Sequence, residues 1–195
     1  MSEMSGGKMI IAVKGLIGSG KSTISNYLVE KYEFTLVNCD KIVHELYEND
    51  ENIRKEICDT FKLEVFDRQE LGKIVFADPV ELSKLESIVH PILKETCNKL
   101  IENNENIVID CQIIDKLGIE YDLGLIAVAS EATIVKRVMA RDNRNEEQIL
   151  DILKHQTRVH FLKVRSYAID TEVEYEDMID KVIRSYNASK NWKDC

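Results

Sequence analysis

The chain has 195 residues, 44% of them hydrophobic and 31% charged, with two prolines and eight glycines; this is globular composition and excludes a collagen-like or low-complexity chain. That length is enough to bury a substantial core without disulfide or metal staples. A net charge of −9 at pH 7 repels a phosphate backbone over most of the surface, so no nucleic-acid partner is expected.

Met9-Ile10-Ile11-Ala12-Val13 is a short apolar run rich in β-branched residues, suited to a strand buried on both faces of a parallel sheet. A glycine-rich turn follows, then a helix over Ser22 to Lys31 with Ile24, Leu28 and Val29 at helical spacing, and strand character over Phe34 to Val37. Between Asp40 and Asn104 the pattern is helical throughout, with Asp67 as a cap ahead of Gln69 to Phe76 and Asp78-Pro79 opening a long periodic stretch. Strands are then predicted over Asn106 to Asp110 and Leu123 to Ala129, and helices over Glu131 to Arg141 and Glu146 to His160. A last strand near Tyr167 to Asp170 precedes a helix over Glu176 to Tyr186. Alternating buried strands and helices predict a parallel sheet covered on both sides. No internal repeat is visible.

Gly15-Leu16-Ile17-Gly18-Ser19-Gly20-Lys21-Ser22 fits G-x-x-x-x-G-K-S/T, immediately after the first strand and before the first helix. Composition alone produces that pattern in roughly one chain of this length in a hundred, and the strand and helix context lowers the odds further. Its chemistry is the capture of a purine nucleoside triphosphate with magnesium. Backbone N–H groups from Gly15, Ile17, Gly18, Ser19 and Gly20 curl around the phosphates, with Thr23 following in the first turn of the helix. Lys21 bridges the β- and γ-phosphates and Ser22 offers its hydroxyl to Mg2+.

Asp40 follows the second strand, where ligands gather in such sheets. It suits a general base for an acceptor hydroxyl, and equally a helix N-cap for Lys41 to Tyr47. Asp110 closes the apolar strand Ile107-Val108-Ile109 in the position of a carboxylate that orients magnesium. Arg137 and Arg141 lie four apart and share a helix face; with Arg144, Arg158 and Arg165 they could stabilise transferring phosphate charge, or pair with Glu131, Glu146 or Glu147. The five cysteines, Cys39, Cys58, Cys97, Cys111 and Cys195, form no CxxC pair and read as reduced thiols of a cytoplasmic protein. Met1 to Lys8 lacks an apolar leader, and no apolar run approaches the roughly 20 residues of a bilayer span; no membrane association is expected.

Taken together these residues resemble the dephospho-coenzyme A kinase family. The likeness rests on Ile17-Gly18-Ser19-Gly20-Lys21-Ser22, Asp40-Lys41-Ile42-Val43-His44-Glu45-Leu46, Leu71-Gly72-Lys73-Ile74-Val75-Phe76, Leu82, Leu85, Ile88 and His90-Pro91, then Arg137-Val138-Met139-Ala140-Arg141 and Gln156. The resemblance implies an α/β P-loop NTPase fold in three layers, with a five-stranded parallel sheet, a helical acceptor-binding insertion and a lid. Within a single kinase domain over 1–195 the core is expected at 8–40 and 105–190, the helical sub-domain at about 41–104 and the lid at about 137–165. It implies transfer of phosphate from ATP, with Mg2+, to the ribose 3′-hydroxyl of dephospho-coenzyme A, the last step of coenzyme A synthesis. Asp40 is then the base, Lys21 the phosphate clamp, Arg141 the lid arginine with Arg137 beside it, and His44 and His90 lie on the acceptor side. The partner is the small-molecule substrate, and the chain is a monomer or weak homo-oligomer. Other readings are a kinase for a nucleoside or nucleoside monophosphate, and a nucleotide-binding sensor without catalysis. The chain departs from the family where Asn38 replaces a first aspartate, Gln112 a proline and Leu16 a loop glycine, and at Ser166-Tyr167 and Thr171 near the last strand.

Overall fold

The computed structural model describes residues 8–142, 144–156 and 164–191. Five strands, β1 (Met9–Gly15), β2 (Thr35–Asn38), β3 (Asn106–Asp110), β4 (Leu123–Val128) and β5 (Ser166–Asp170), form one all-parallel sheet in the order β2-β3-β1-β4-β5. The central strand β1 lies between β3 and β4, with Val13 opposite Asp110 on one side and Leu125 on the other. Its apolar run is buried almost throughout, as a strand covered on both faces must be.

Side chains alternate across a strand. Met9, Ile11 and Val13 share a core cluster with Ile24 and Leu28 of α1 (Lys21–Tyr32) and with Ile179, Val182 and Ile183 of α9 (Tyr175–Asn191). Each of these side chains, fully buried, stabilises the fold by about 1.5–3 kcal/mol. Asp180, on α9, is buried in the same region. It accepts hydrogen bonds from the Tyr27 and Tyr32 hydroxyls at 2.8 and 2.7 Å and from Lys31 Nζ at 2.6 Å. Three donors satisfy a carboxylate that would otherwise be costly to bury.

The helical stretch between β2 and β3 resolves into α2 (Cys39–Asn49), α3 (Glu51–Phe61), α4 (Arg68–Ala77) and α5 (Pro79–Glu102). Asp67 caps α4 by accepting from Gln69 and Glu70 N–H groups, and Asp78 caps α5 with Pro79 at its first position. A short helix the sequence pattern does not reveal, α6 (Ile114–Leu117), precedes β4. The chain divides into two compact units: residues 38–103 with 116–119 form one, and the sheet with the remaining helices forms the other. The helical unit has its own core, built on Ile53, Ile57, Phe61, Leu71, Val75 and Ile88. Cys39 and Cys97 are buried there with their sulfurs 3.7 Å apart, and Cys39, Cys58, Cys97 and Cys111 are free thiols.

After β4 come α7 (Glu131–Asp142) and α8 (Glu146–His155). The helix predicted to reach His160 is seen as far as His155; residues 157–163, including Arg158 and most of the end of the predicted lid, lie outside the described residues. Ile134, Val135, Val138 and Ile149 form a small core against which Leu16 and Ile17 of the glycine-rich loop pack. Among the described residues no helix is long and apolar enough to cross a membrane.

Candidate active site

The loop from Gly15 to Gly20 joins the central strand to α1. Gly18 and Gly20 hold φ of +70° and +100°, left-handed values that glycine adopts without penalty. Space forbids a side chain at either position: a Cβ on Gly18 would lie 2.6 Å from Val138 Cγ2, and one on Gly20 2.8 Å from Thr171 Oγ1. Lys21 Nζ lies along the loop, donating to the Gly15 and Leu16 carbonyls at 3.0 and 3.1 Å. Ser22 and Thr23 are exposed at the start of α1.

Helix α1 stands apart in how its N-terminus is furnished. Asn38, Asp50, Asp67, Asp78 and Asn145 cap α2, α3, α4, α5 and α8 through their side chains, whereas Gly20 gives α1 no side-chain cap. Every other described helix has a carboxylate in its first turn; α1 has none. Its N-terminus therefore has neither a capping side chain nor a first-turn carboxylate to offset its positive dipole end. A helix start of that kind suits phosphate. A triphosphate fits the cradle on this ground. Magnesium takes few protein ligands when phosphate oxygens and water supply the rest. Ser22, and Asp110 at the end of β3 beside Val13, are the residues that would hold it.

Other side chains fix the loop from outside. Arg137, on α7, donates to Gly18 O at 3.3 Å and to Thr171 Oγ1 and O at 2.8 and 2.9 Å. The Thr171 hydroxyl in turn donates to Ser19 O at 2.7 Å. Gln156 Oε1 accepts from Ile17 N–H at 2.8 Å. Glu172 accepts from the Thr133 and Ser130 hydroxyls and from Ser130 N–H, which hold its carboxyl below the usual carboxylate range and tie the segment after β5 to the start of α7. Arg137 thus holds the loop through the Gly18 carbonyl and through Thr171, where the sequence offered phosphate charge or pairing with Glu131, Glu146 or Glu147. Arg141 is differently placed: its guanidinium makes a two-point bond to the neighbouring Asp142 carboxylate, at 2.5 and 2.8 Å, which lowers the Asp142 pKa.

The buried Lys14 ammonium, one residue before the loop, pairs with Asp115 on α6, whose second oxygen accepts from the Tyr121 hydroxyl at 2.7 Å. Neither this pair nor Thr171 was singled out as functional in the sequence.

The helical unit carries Asp40, His44 and His90. Asp40 occupies the second position of α2 and is exposed. The cap that its sequence position suggested falls instead to Asn38, whose side chain accepts from Lys41 N–H at 2.8 Å. His44 Nδ1 lies 2.8 Å from Arg68 and Nε2 3.2 Å from Glu48. Since a guanidinium only donates, Nδ1 is the acceptor and Nε2 bears the proton. His90 is half-buried on α5.

A parallel sheet with a glycine-rich loop feeding an uncapped helix and a lysine over the loop is the arrangement of a P-loop nucleotide-binding protein. The dephospho-CoA kinase family model matches residues 9–173, and the chain belongs to that family. It is 32% identical over 187 residues to the dephospho-CoA kinase of Fusobacterium nucleatum, covering 90% of this chain and 96% of that one. Among solved structures, one from Thermus thermophilus superposes with a TM-score of 0.75 at 24% identity, covering 91% of this chain and 97% of that one. The dephospho-CoA kinase from Campylobacter jejuni does so with a TM-score of 0.54 at 22% identity, covering 92% and 98%. Members of the family are ATP- and Mg2+-dependent kinases of the last step of coenzyme A biosynthesis.

Proposed function

We propose that the chain transfers the γ-phosphate of ATP to the ribose 3′-hydroxyl of dephospho-coenzyme A. The observation that carries this reading, beside family membership, is the α1 N-terminus, without side-chain cap or acidic residue. In the proposed reaction the loop amides and Lys21 hold the β- and γ-phosphates and offset charge as the bond from the γ-phosphorus to the leaving ADP oxygen breaks. Bound magnesium would add charge neutralisation between the same phosphates. Asp40 takes the proton of the acceptor hydroxyl as its oxygen bonds the γ-phosphorus. Its carboxylate has no hydrogen-bond or ion-pair partner among the described residues, which supports that role over a structural one. Arg141 faces the transferring phosphate once it exchanges Asp142 for that group, with Arg137 keeping the loop in shape. His44 and His90 contact the acceptor. The enzyme works in the cytoplasm, as a monomer or weak homo-oligomer, without a nucleic-acid partner.

The test is a coupled ADP-release assay on purified protein with ATP and magnesium, comparing dephospho-coenzyme A, adenosine, nucleoside monophosphates and no acceptor. Turnover with dephospho-coenzyme A alone, giving coenzyme A, is the expected result. Turnover with another acceptor, or ATP binding with no acceptor-dependent release, would overturn it.

A further inference from the structure

The helical unit carries two open grooves of about 590 Å³ each, inside the size range of small-molecule sites. Their charges are opposite. One is lined by Glu45, Asp50 and Glu51 with no cationic side chain. The other runs between α5 and α6: Ser83, Ser87, His90 and Lys94 come from one face of α5, and Lys116 and Leu117 from α6 form the far wall. The α5 residues fall four, three and four apart, the spacing that stacks side chains along one helix face.

The two lysines are held differently. Lys116 pairs with Glu86 at 3.1 Å. Lys94 has no acidic partner among the described residues, and its ammonium lies against the bare backbone of Gly118, 3.5 Å from where a Cβ would be. Gly118 itself has φ of +61°, so the turn closing α6 is both tight and without a side chain on the Lys94 side. The groove thus offers two ammonium groups against one carboxylate, with an imidazole and two serine hydroxyls beside them, on a chain whose net charge is −9. Screening confines electrostatic attraction to about 8 Å at physiological salt, so the local pair of lysines, and not the acidic remainder, decides what binds.

We infer that this groove is an anion subsite, and that Lys94 and Lys116 hold the diphosphate bridge of the acceptor nucleotide. Lysine ammonium groups are compact point charges suited to phosphate oxygens. The identity of the occupant rests on the proposed function: dephospho-coenzyme A carries a diphosphate remote from its reacting hydroxyl, and a remote charge of that kind is where a kinase gains acceptor affinity without touching the reaction centre. Glu86 is the built-in competitor, since its carboxylate holds Lys116 until the diphosphate displaces it.

The test uses the full chain with Lys94→Met, Lys116→Met, the double variant, Glu86→Gln and, as a charge-matched control outside the groove, the exposed Lys55→Met. Each lysine loss should raise KM for dephospho-coenzyme A about tenfold, the worth of one hydrogen bond to a charged group. KM for ATP and kcat should stay within twofold, and Lys55→Met should change nothing. Glu86→Gln should lower KM for the acceptor, a gain that no merely structural role of this pair would produce. In parallel, inorganic pyrophosphate is titrated calorimetrically into protein saturated with a non-hydrolysable ATP analogue, so that the glycine-rich loop is already filled. Binding should be seen with the wild type and lost in the double variant. Pyrophosphate binding equal in wild type and double variant overturns the subsite. A wild type that turns over no dephospho-coenzyme A but loses pyrophosphate binding on removal of the lysines overturns the function and leaves the subsite standing for another diphosphate.

Discussion

Loss of Lys21 and loss of Asp40 should separate the proposed phosphate holding from the proposed proton transfer. Lys21→Ala removes the ammonium that lies on the Gly15 and Leu16 carbonyls; turnover in the ADP-release assay should vanish, and activity within a few-fold of wild type would remove Lys21 from the mechanism. Asp40→Asn is nearly isosteric and the α2 cap is supplied by Asn38, so folding should be unaffected. Nucleotide affinity should hold while kcat falls by roughly 10²–10⁴, the range for a lost general base. Thr171→Val tests the outer support of the loop. It keeps the shape of the side chain but deletes the hydroxyl shared between Ser19 O and Arg137, leaving buried polar groups short of a partner at a cost of about 1–3 kcal/mol. Thermal denaturation should show a Tm lowered by several degrees and kinetics a raised KM for ATP; an unchanged KM would mean the loop holds its shape without that hydroxyl.

At the scale of elements, helix starts decide much of the architecture. Asn38→Ala should cost about 1 kcal/mol of stability by urea denaturation through loss of the α2 cap, whereas Asn38→Asp should be near neutral because both residues cap well. The same reasoning explains what could be read in advance. Strands β1 and β3 were legible because strands buried on both faces need continuous runs such as Met9 to Val13 and Ile107 to Ile109, and Asp67 and Asp78-Pro79 announce α4 and α5 by local chemistry. The P-loop was legible because its spacing is local too. Helix α6 was not, since four residues carry no period. Nor were the bonds from Thr171 and Gln156 to the loop, which join residues 152 and 139 positions apart; nothing near either residue marks its partner. Leu16 looked like a departure from the family glycine, yet its side chain packs on the α7–α8 core, a reason visible only in three dimensions. Asp40 was ambiguous between base and cap until the position of Asn38 decided the cap.

For the molecule as a whole, acid sensitivity should centre on Asp180. Burial pushes its pKa up, but the Lys31 ammonium and the Tyr32 and Tyr27 hydroxyls more than offset this and leave the carboxyl below its ordinary value. A depressed carboxylate contributes stability that is present above its unfolded pKa, near about 4, and is lost as pH falls through the folded value. Wild type should therefore exceed Asp180→Asn in Tm at neutral pH, with the difference closing below about pH 4. A gap between the two melting curves that does not change with pH would show that the carboxylate charge is not what joins α9 to α1.

The place of β1 between β3 and β4 also sets a timescale. Its backbone groups bond to neighbours on both sides, so its amides should exchange with solvent deuterium more slowly than those of frayed ends and surface loops. The glycine-rich loop is the direct continuation of that strand. The cradle is thus anchored at its N-terminal end to the strand expected to open last, while the loop itself stays free to adjust around a bound phosphate.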